Sequence, residues 1–141
     1  MKDIISFKSK NPSLFYFHDL IKEKKIILVE SNEDIIKNKK KHVLFYSKRY
    51  NIPESLLKII ERGAILIALK DLYPNKKRTF TLSRIKELVK KCIRTNTVMV
   101  IATLAENKSM LRNEWERTVI GSIFMPFITS KRSVERLEEF I

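Results

Sequence analysis

Val98-Met-Val-Ile-Ala-Thr103, Leu104-Ala-Glu-Asn-Lys-Ser-Met-Leu-Arg112 and Asn113-Glu-Trp-Glu-Arg-Thr-Val-Ile-Gly121-Ser-Ile-Phe-Met125 follow one another as a strand, a loop and a helix. A short uninterrupted run of Val and Ile suits a strand covered on both faces, as in a parallel sheet. The loop sets Glu106, Lys108 and Arg112 just beyond the strand's carboxyl end, the edge where parallel sheets usually keep their working residues. Asn113 with Glu116 three residues later is the pattern of a capping box, so a helix is expected to begin near Asn113.

Working outward, similar apolar runs at 26–29, 43–46 and 64–69 predict further strands. Weaker ones are expected at 4–7 and 14–17, the latter running into helical turns over 18–24, and a last short strand at 126–129. Between them lie predicted helices. One begins after the loop at 30–34, and another at Asn51-Ile-Pro-Glu54, where Asn can cap and Pro fits the first turn, running to about Arg62. Gly63 then stands where a helix commonly ends in the left-handed conformation. In the helix that follows 70–80, Ile85, Leu88, Val89, Cys92 and Ile93 form one apolar stripe. A helix over 130–141 should turn Val134, Leu137 and Ile141 inward.

Strands separated by helices need crossover connections, which are right-handed almost without exception and build a parallel sheet flanked by helices. The expectation is an α/β fold of about five strands in one domain over residues 1–141, either an open sheet or a reduced TIM-like barrel. With 44% hydrophobic residues the chain can build a core, and 2 Gly and 4 Pro leave nothing that resembles a flexible linker. The single cysteine, Cys92, excludes an internal disulfide, and nothing resembles a signal peptide, which points to the cytoplasm. No apolar run approaches the roughly 20 residues that cross a bilayer, so no membrane partner is expected.

The net charge of +13 points first to a polyanion, and nucleic acid is the foremost candidate. Lysine-rich surfaces also arise without a ligand, because a solvated ammonium is compatible with any exposed position. At the strand carboxyl ends, Lys48, Arg49, Lys76, Lys77, Arg78, Lys108 and Arg112 are the candidate RNA contacts, joined by Lys8, Lys10 and Lys70. The arginines stand out because guanidinium holds phosphate in a bidentate fork and stacks on bases. Glu30, Glu33, Asp34, Asp71 and Glu106 also follow strands, and a small magnesium-dependent nuclease or another basic nucleic-acid-binding α/β protein is the alternative. No DxD, HxH or HExxH spacing or Gly-rich phosphate loop supports a metal or nucleotide cofactor, and none is expected. His18 and His42 are isolated, Cys92 belongs to a core stripe, and Trp115 suits an exposed contact or inward packing equally.

Ala102, Ala105, Leu111, Arg112, Glu116, Gly121 and Met125 trace a late strand, a small-residue loop, a Leu-Arg pair and an acidic helix start, and Arg62 to Leu72 holds an apolar strand and trailing loop. In these positions, over roughly residues 26–125, the chain resembles the archaeal ribonuclease P protein component 3 family, the thirty-kilodalton subunit family of eukaryotes. Glu114-Trp115 stands where that family usually has Pro-Arg, and its members are longer, with a fuller TIM-type barrel. The resemblance implies a noncatalytic subunit of ribonuclease P, the ribonucleoprotein endonuclease whose RNA removes the 5′ leader from precursor tRNA. Its implied partners are that RNA, precursor tRNA, protein component 2 and the particle's other subunits.

Overall fold

The computed structural model describes residues 2–72 and 78–141, and of Arg78, Thr79 and Phe80 the backbone alone. Strands β1 (Asp3–Ile5) and β2 (Leu14–Tyr16) precede helix α1 (Phe17–Lys22), and β3 (Ile26–Leu28) precedes α2 (Asn32–Asn38). Then come β4 (Leu44–Tyr46), α3 (Glu54–Leu57), β5 (Ala64–Ala68), α4 (Arg78–Thr95) and β6 (Met99–Ala102). The chain ends in three helices, α5 (Glu114–Gly121), α6 (Phe127–Glu135) and α7 (Leu137–Phe140).

Every strand pairing is parallel. One ladder runs β3-β4-β5-β6 and a second joins β1 to β2. The two meet where Ile5 bridges Ala105 and where the amide of Leu104 donates to the Ile4 carbonyl at 2.8 Å. Lateral order is therefore β2-β1-β6-β5-β4-β3, the cyclic order of a six-stranded barrel open at the seam between β2 and β3. At the seam α1 packs on both neighbouring strands, and the buried Phe17 ring meets Tyr46 edge-on at 5.8 Å. The anticipated β5–α4–β6 unit is present, with Ile65 to Ala68 paired in register to Met99 to Ala102.

All five residues of β5 and all four of β6 are buried, as strands covered on both faces require. Each such Ile or Leu withdrawn from water contributes about 1.5–3 kcal/mol. Helix α4 buries Ile85, Leu88, Val89 and Cys92 against the sheet. Burial pushes the Cys92 thiol up to about 12, so it remains a protonated core group at neutral pH. The carboxyl-terminal helices lie across the amino-terminal edge of the strands. There His42, just before β4, stacks on Phe140 at 4.2 Å and bonds the carbonyls of Glu139 and Arg62, while Lys2 donates to the Ile141 carbonyl.

Several expectations are corrected. There are six strands among the described residues, and 127–129 is the start of α6 rather than a strand, because Pro126 sets φ at −54° and the chain turns helical after it. Helix α3 stops at Leu57 instead of reaching Arg62, and Pro53 rather than Asn51 precedes it. Gly63 has no positive φ; it is needed for close approach, since a Cβ there would stand 2.6 Å from Phe45 Cε2 and 2.9 Å from the Val43 carbonyl. Left-handed turns out of helices fall instead to Lys24 (φ 59°) and Asn96 (φ 56°). Ile93 lies outside the stripe, 49% exposed, and Ile141 is only half-buried.

Candidate nucleic-acid interface

The carboxyl-terminal rim is built by the segments that leave each strand. Two of them pass through strained backbone within four residues of the strand: Tyr50 at φ 52° beyond β4 and Leu104 at φ 46° beyond β6. A bulky residue in that region costs on the order of 1–3 kcal/mol, and here surrounding bonds hold it. Tyr50 accepts from the Ala68 amide at 3.0 Å, ending the β5 ladder, and its phenol donates to Asp71 Oδ2 at 2.6 Å. Tyr46 donates to the same carboxylate oxygen at 2.9 Å. Burial, followed by the Asp71 charge, holds both phenols well above their ordinary pKa, so they remain donors.

On one side of this cluster, the β3 and β4 exits form a cleft of about 490 Å³ whose lining includes Glu30, Ser47, Lys48, Arg49 and Asn51. Lys48 and Arg49 are both exposed there. On the other side, the β1–β2 turn and the loop after β6 enclose a second open cleft of about 540 Å³ that brings Lys8 and Lys10 to Lys108, with Glu106 between. Lys70 approaches Glu106 at 4.0 Å. The rim therefore brings Lys48 and Arg49 to one cleft and Lys8, Lys10 and Lys108 to the other.

Asn113 caps α5 as expected, accepting from the Glu116 amide at 2.8 Å while Glu116 accepts from the Asn113 amide at 3.1 Å. Arg112, half-buried, donates through Nη1 to the carbonyls of Ser109 (3.0 Å) and Leu111 (2.7 Å). It braces its own loop through backbone oxygens and reaches neither Glu106 nor Glu116 with a hydrogen bond. Arg78 opens α4, and its side chain, like Lys76 and Lys77 entirely, lies outside the described residues.

Three of the five carboxylates considered for a metal, Asp34, Asp71 and Glu106, are engaged by other groups. Asp34 Oδ2 accepts from the amides of Glu30 (2.8 Å) and Ser31 (3.0 Å), bonds that lower its pKa and cap α2. Asp71 takes the two phenols, and Glu106 faces Lys70. Among the described residues no three His, Cys, Asp or Glu side chains come together as a cation site.

Two features were not anticipated from the sequence pattern. One is the Tyr46–Tyr50–Asp71 cluster; a Tyr pair four apart after a strand is its only trace. The other is a buried pair, in which Arg117 of α5, 1% exposed, approaches Asp3 Oδ1 at 3.7 Å and donates to the Lys2 carbonyl at 3.1 Å. Thr103 donates to Asp3 through its amide (2.9 Å) and hydroxyl (2.5 Å). Burial raises the Asp3 pKa even though the guanidinium and these bonds oppose it. The Nε of Arg117 has no hydrogen-bond partner among the described residues.

On the outer face, Trp115 (66% exposed), Val119 and Ile123 form a row on α5 and beyond, continued by Phe127 and Ile128 of α6. Trp115 meets Phe127 at 5.8 Å, at one wall of a groove between the two helices that Glu114, Lys131 and Glu135 also line. Of the two readings for Trp115, the structure realises the exposed one.

No protein-family model and no curated protein sequence matches this chain. Among solved structures, a chain of the cryo-EM structure of archaeal ribonuclease P with mature tRNA has the same fold, with a TM-score of 0.71 and 19% sequence identity over 87% of this chain. The match takes in 61% of that chain, so this protein spans under two thirds of its length. Among the described residues no helix is long and apolar enough to cross a membrane.

Proposed function

We propose that this chain is a protein subunit of ribonuclease P, of the component 3 kind, and that the particle's RNA rather than this chain cleaves the 5′ leader from precursor tRNA. The observation that carries the reading is the shared fold with a chain of an archaeal ribonuclease P, at a TM-score of 0.71. A net charge of +13 supports it, because a subunit buried against RNA must neutralise phosphates.

In this reading the rim holds RNA. Lys48 and Arg49 serve one cleft and Lys108 the other, and Lys76, Lys77 and Arg78, which precede or open α4 in the sequence, are further candidate contacts. Arg112 holds the loop with Nη1 and offers its remaining nitrogens to a phosphate. The outward apolar row from Trp115 to Ile128 takes a second protein subunit of the particle, component 2, since a contiguous exposed patch of large apolar side chains rimmed by charge is the usual mark of a protein contact.

Purification of the tagged chain from its native cell, with sequencing of the bound RNA, tests the proposal. Recovery of ribonuclease P RNA and further protein subunits is the expected result. Magnesium-dependent cleavage of precursor tRNA by the purified chain alone, lost on Asp71→Ala or Glu106→Ala, would replace this reading with the nuclease.

A further inference from the structure

A groove of about 210 Å³ opens at the other edge of the barrel, where the end of α4 and the start of β6 face α6. Its polar lining is Asn96, Thr97, Thr129, Arg132, Ser133 and Arg136, and it contains no carboxylate. The rim clefts differ in this respect, since Glu30 stands in one and Glu106 in the other. Arg132 and Arg136 are one helical turn apart, about 6 Å along the axis, so both guanidinium groups reach the same opening. Among the described residues neither guanidinium makes a hydrogen bond or ion pair, whereas Arg94 is held by Glu54 at 2.8 Å and Arg117 lies beside Asp3. The acidic neighbour Glu135 points away, into the groove on the α5 side of α6.

The cationic row continues on α4. Ile93 lines the groove, and at helical spacing of three and four Lys90 and Lys86 follow it along the same side, both exposed. Two arginines without partners and two lysines in series match a ligand that carries a charge at every step. A single carboxylate or free anion would engage only the arginines.

We propose that this groove is a second RNA-binding site, in which Arg132 and Arg136 grip a backbone phosphate and Lys90 and Lys86 follow the strand along α4. It rests on the reading of the chain as an RNA-binding protein, and places RNA on the edge opposite the rim. The exposed Ile93 gives a sugar or base an apolar surface beside that phosphate. Bidentate guanidinium contacts make the site favour the arginines over equal charge on lysine.

The test uses the full chain and a fluorescent single-stranded oligouridylate, titrated over a series of salt concentrations. Loss of two phosphate contacts in Arg132→Ala/Arg136→Ala should lower the salt slope by about 1.4 and weaken binding roughly 25-fold at 0.1 M salt, with melting unchanged. Arg132→Lys/Arg136→Lys should recover only part of the affinity, and Ile93→Glu, which sets a carboxylate beside the guanidinium groups, should weaken binding without touching either arginine. Wild-type binding that survives the double alanine variant and Ile93→Glu overturns this site alone. A wild-type chain that holds no oligouridylate overturns the RNA-binding reading with it. Competition by polyglutamate at the same charge concentration, as effective as by oligouridylate, overturns the assignment to phosphate.

Discussion

Helices α4 and α5 both mix apolar and charged residues, and they dispose of them in opposite ways. In α4 the apolar stripe faces the sheet and the lysines face water. In α5 the apolar row of Trp115 and Val119, extended by Ile123, faces out, while Arg117, Thr118 and Gly121 are the buried residues. A stripe therefore tells which residues share a side of a helix and leaves open whether the chain itself covers that side. At Gly121 the buried side of α5 has no room for a side chain, since a Cβ there would run into the Ser130 hydroxyl and stand 2.7 Å from Ile101 Cδ1. Ser130 in turn donates to the Thr118 carbonyl at 2.7 Å.

The largest expected effect is on the buried side of α5. Arg117→Met strands the Asp3 carboxylate without its guanidinium, and removing one member of a buried pair costs about 3–5 kcal/mol. Chemical denaturation should show that loss. Asp3→Asn added to Arg117→Met should recover most of it, because the carboxamide can still accept from the Thr103 amide with no charge left to compensate. Failure of the double variant to recover would mean that Arg117 acts by packing rather than by charge. Asp3 also sets a pH dependence. Its folded pKa is raised above 3.8 by burial, so the unfolded chain loses this proton first as pH rises. The group therefore favours the fold below that interval and withdraws stability as pH climbs from about 3.8 through the folded pKa. Melting followed against pH should show that decline in the wild type and its absence in Asp3→Asn.

Next comes the buried side of α4. Leu88→Ala, at a position 2% exposed, should cost about 2–5 kcal/mol. A near-neutral result would remove the contrast between the helices. The neighbouring Cys92 gives a chemical version of the test: a thiol reagent at pH 8 should leave it unmodified until the chain is unfolded, since it is buried and its pKa is pushed up to about 12.

The sequence made α4, the central strands and the α5 cap legible because each is decided by residues close together. Runs covered on both faces announce β5 and β6, and Asn113 with Glu116 closes a box within one turn. Lys48, Arg49 and Lys108 could be placed at the rim because each lies in the segment that leaves a strand. What tertiary contact decides stayed hidden. Arg117 meets Lys2 across 115 residues, and Tyr46 meets Asp71 across 25. Residues 127–129 resemble a strand by composition, and Pro126 and packing against β6 make them helix. The carboxylates after the strands were legible by position, whereas their engagement by phenols, amides and Lys70 was not.

The smallest effect is expected on the outward row, and it is the most telling. Trp115, Val119 and Ile123 are 66%, 43% and 62% exposed, so changing each to Ser removes little buried apolar surface, and each should shift the stability of the isolated chain by no more than about 0.5 kcal/mol. A helix whose largest apolar side chains are dispensable to its own fold keeps them for something else. If they serve the proposed protein contact, the triple variant should lose no more than about 1.5 kcal/mol of stability, yet should no longer bring down the partner subunit in the native purification, while still binding oligouridylate. If melting instead falls by several kcal/mol, the row belongs to this chain's own core in solution, and the contrast between α4 and α5 disappears.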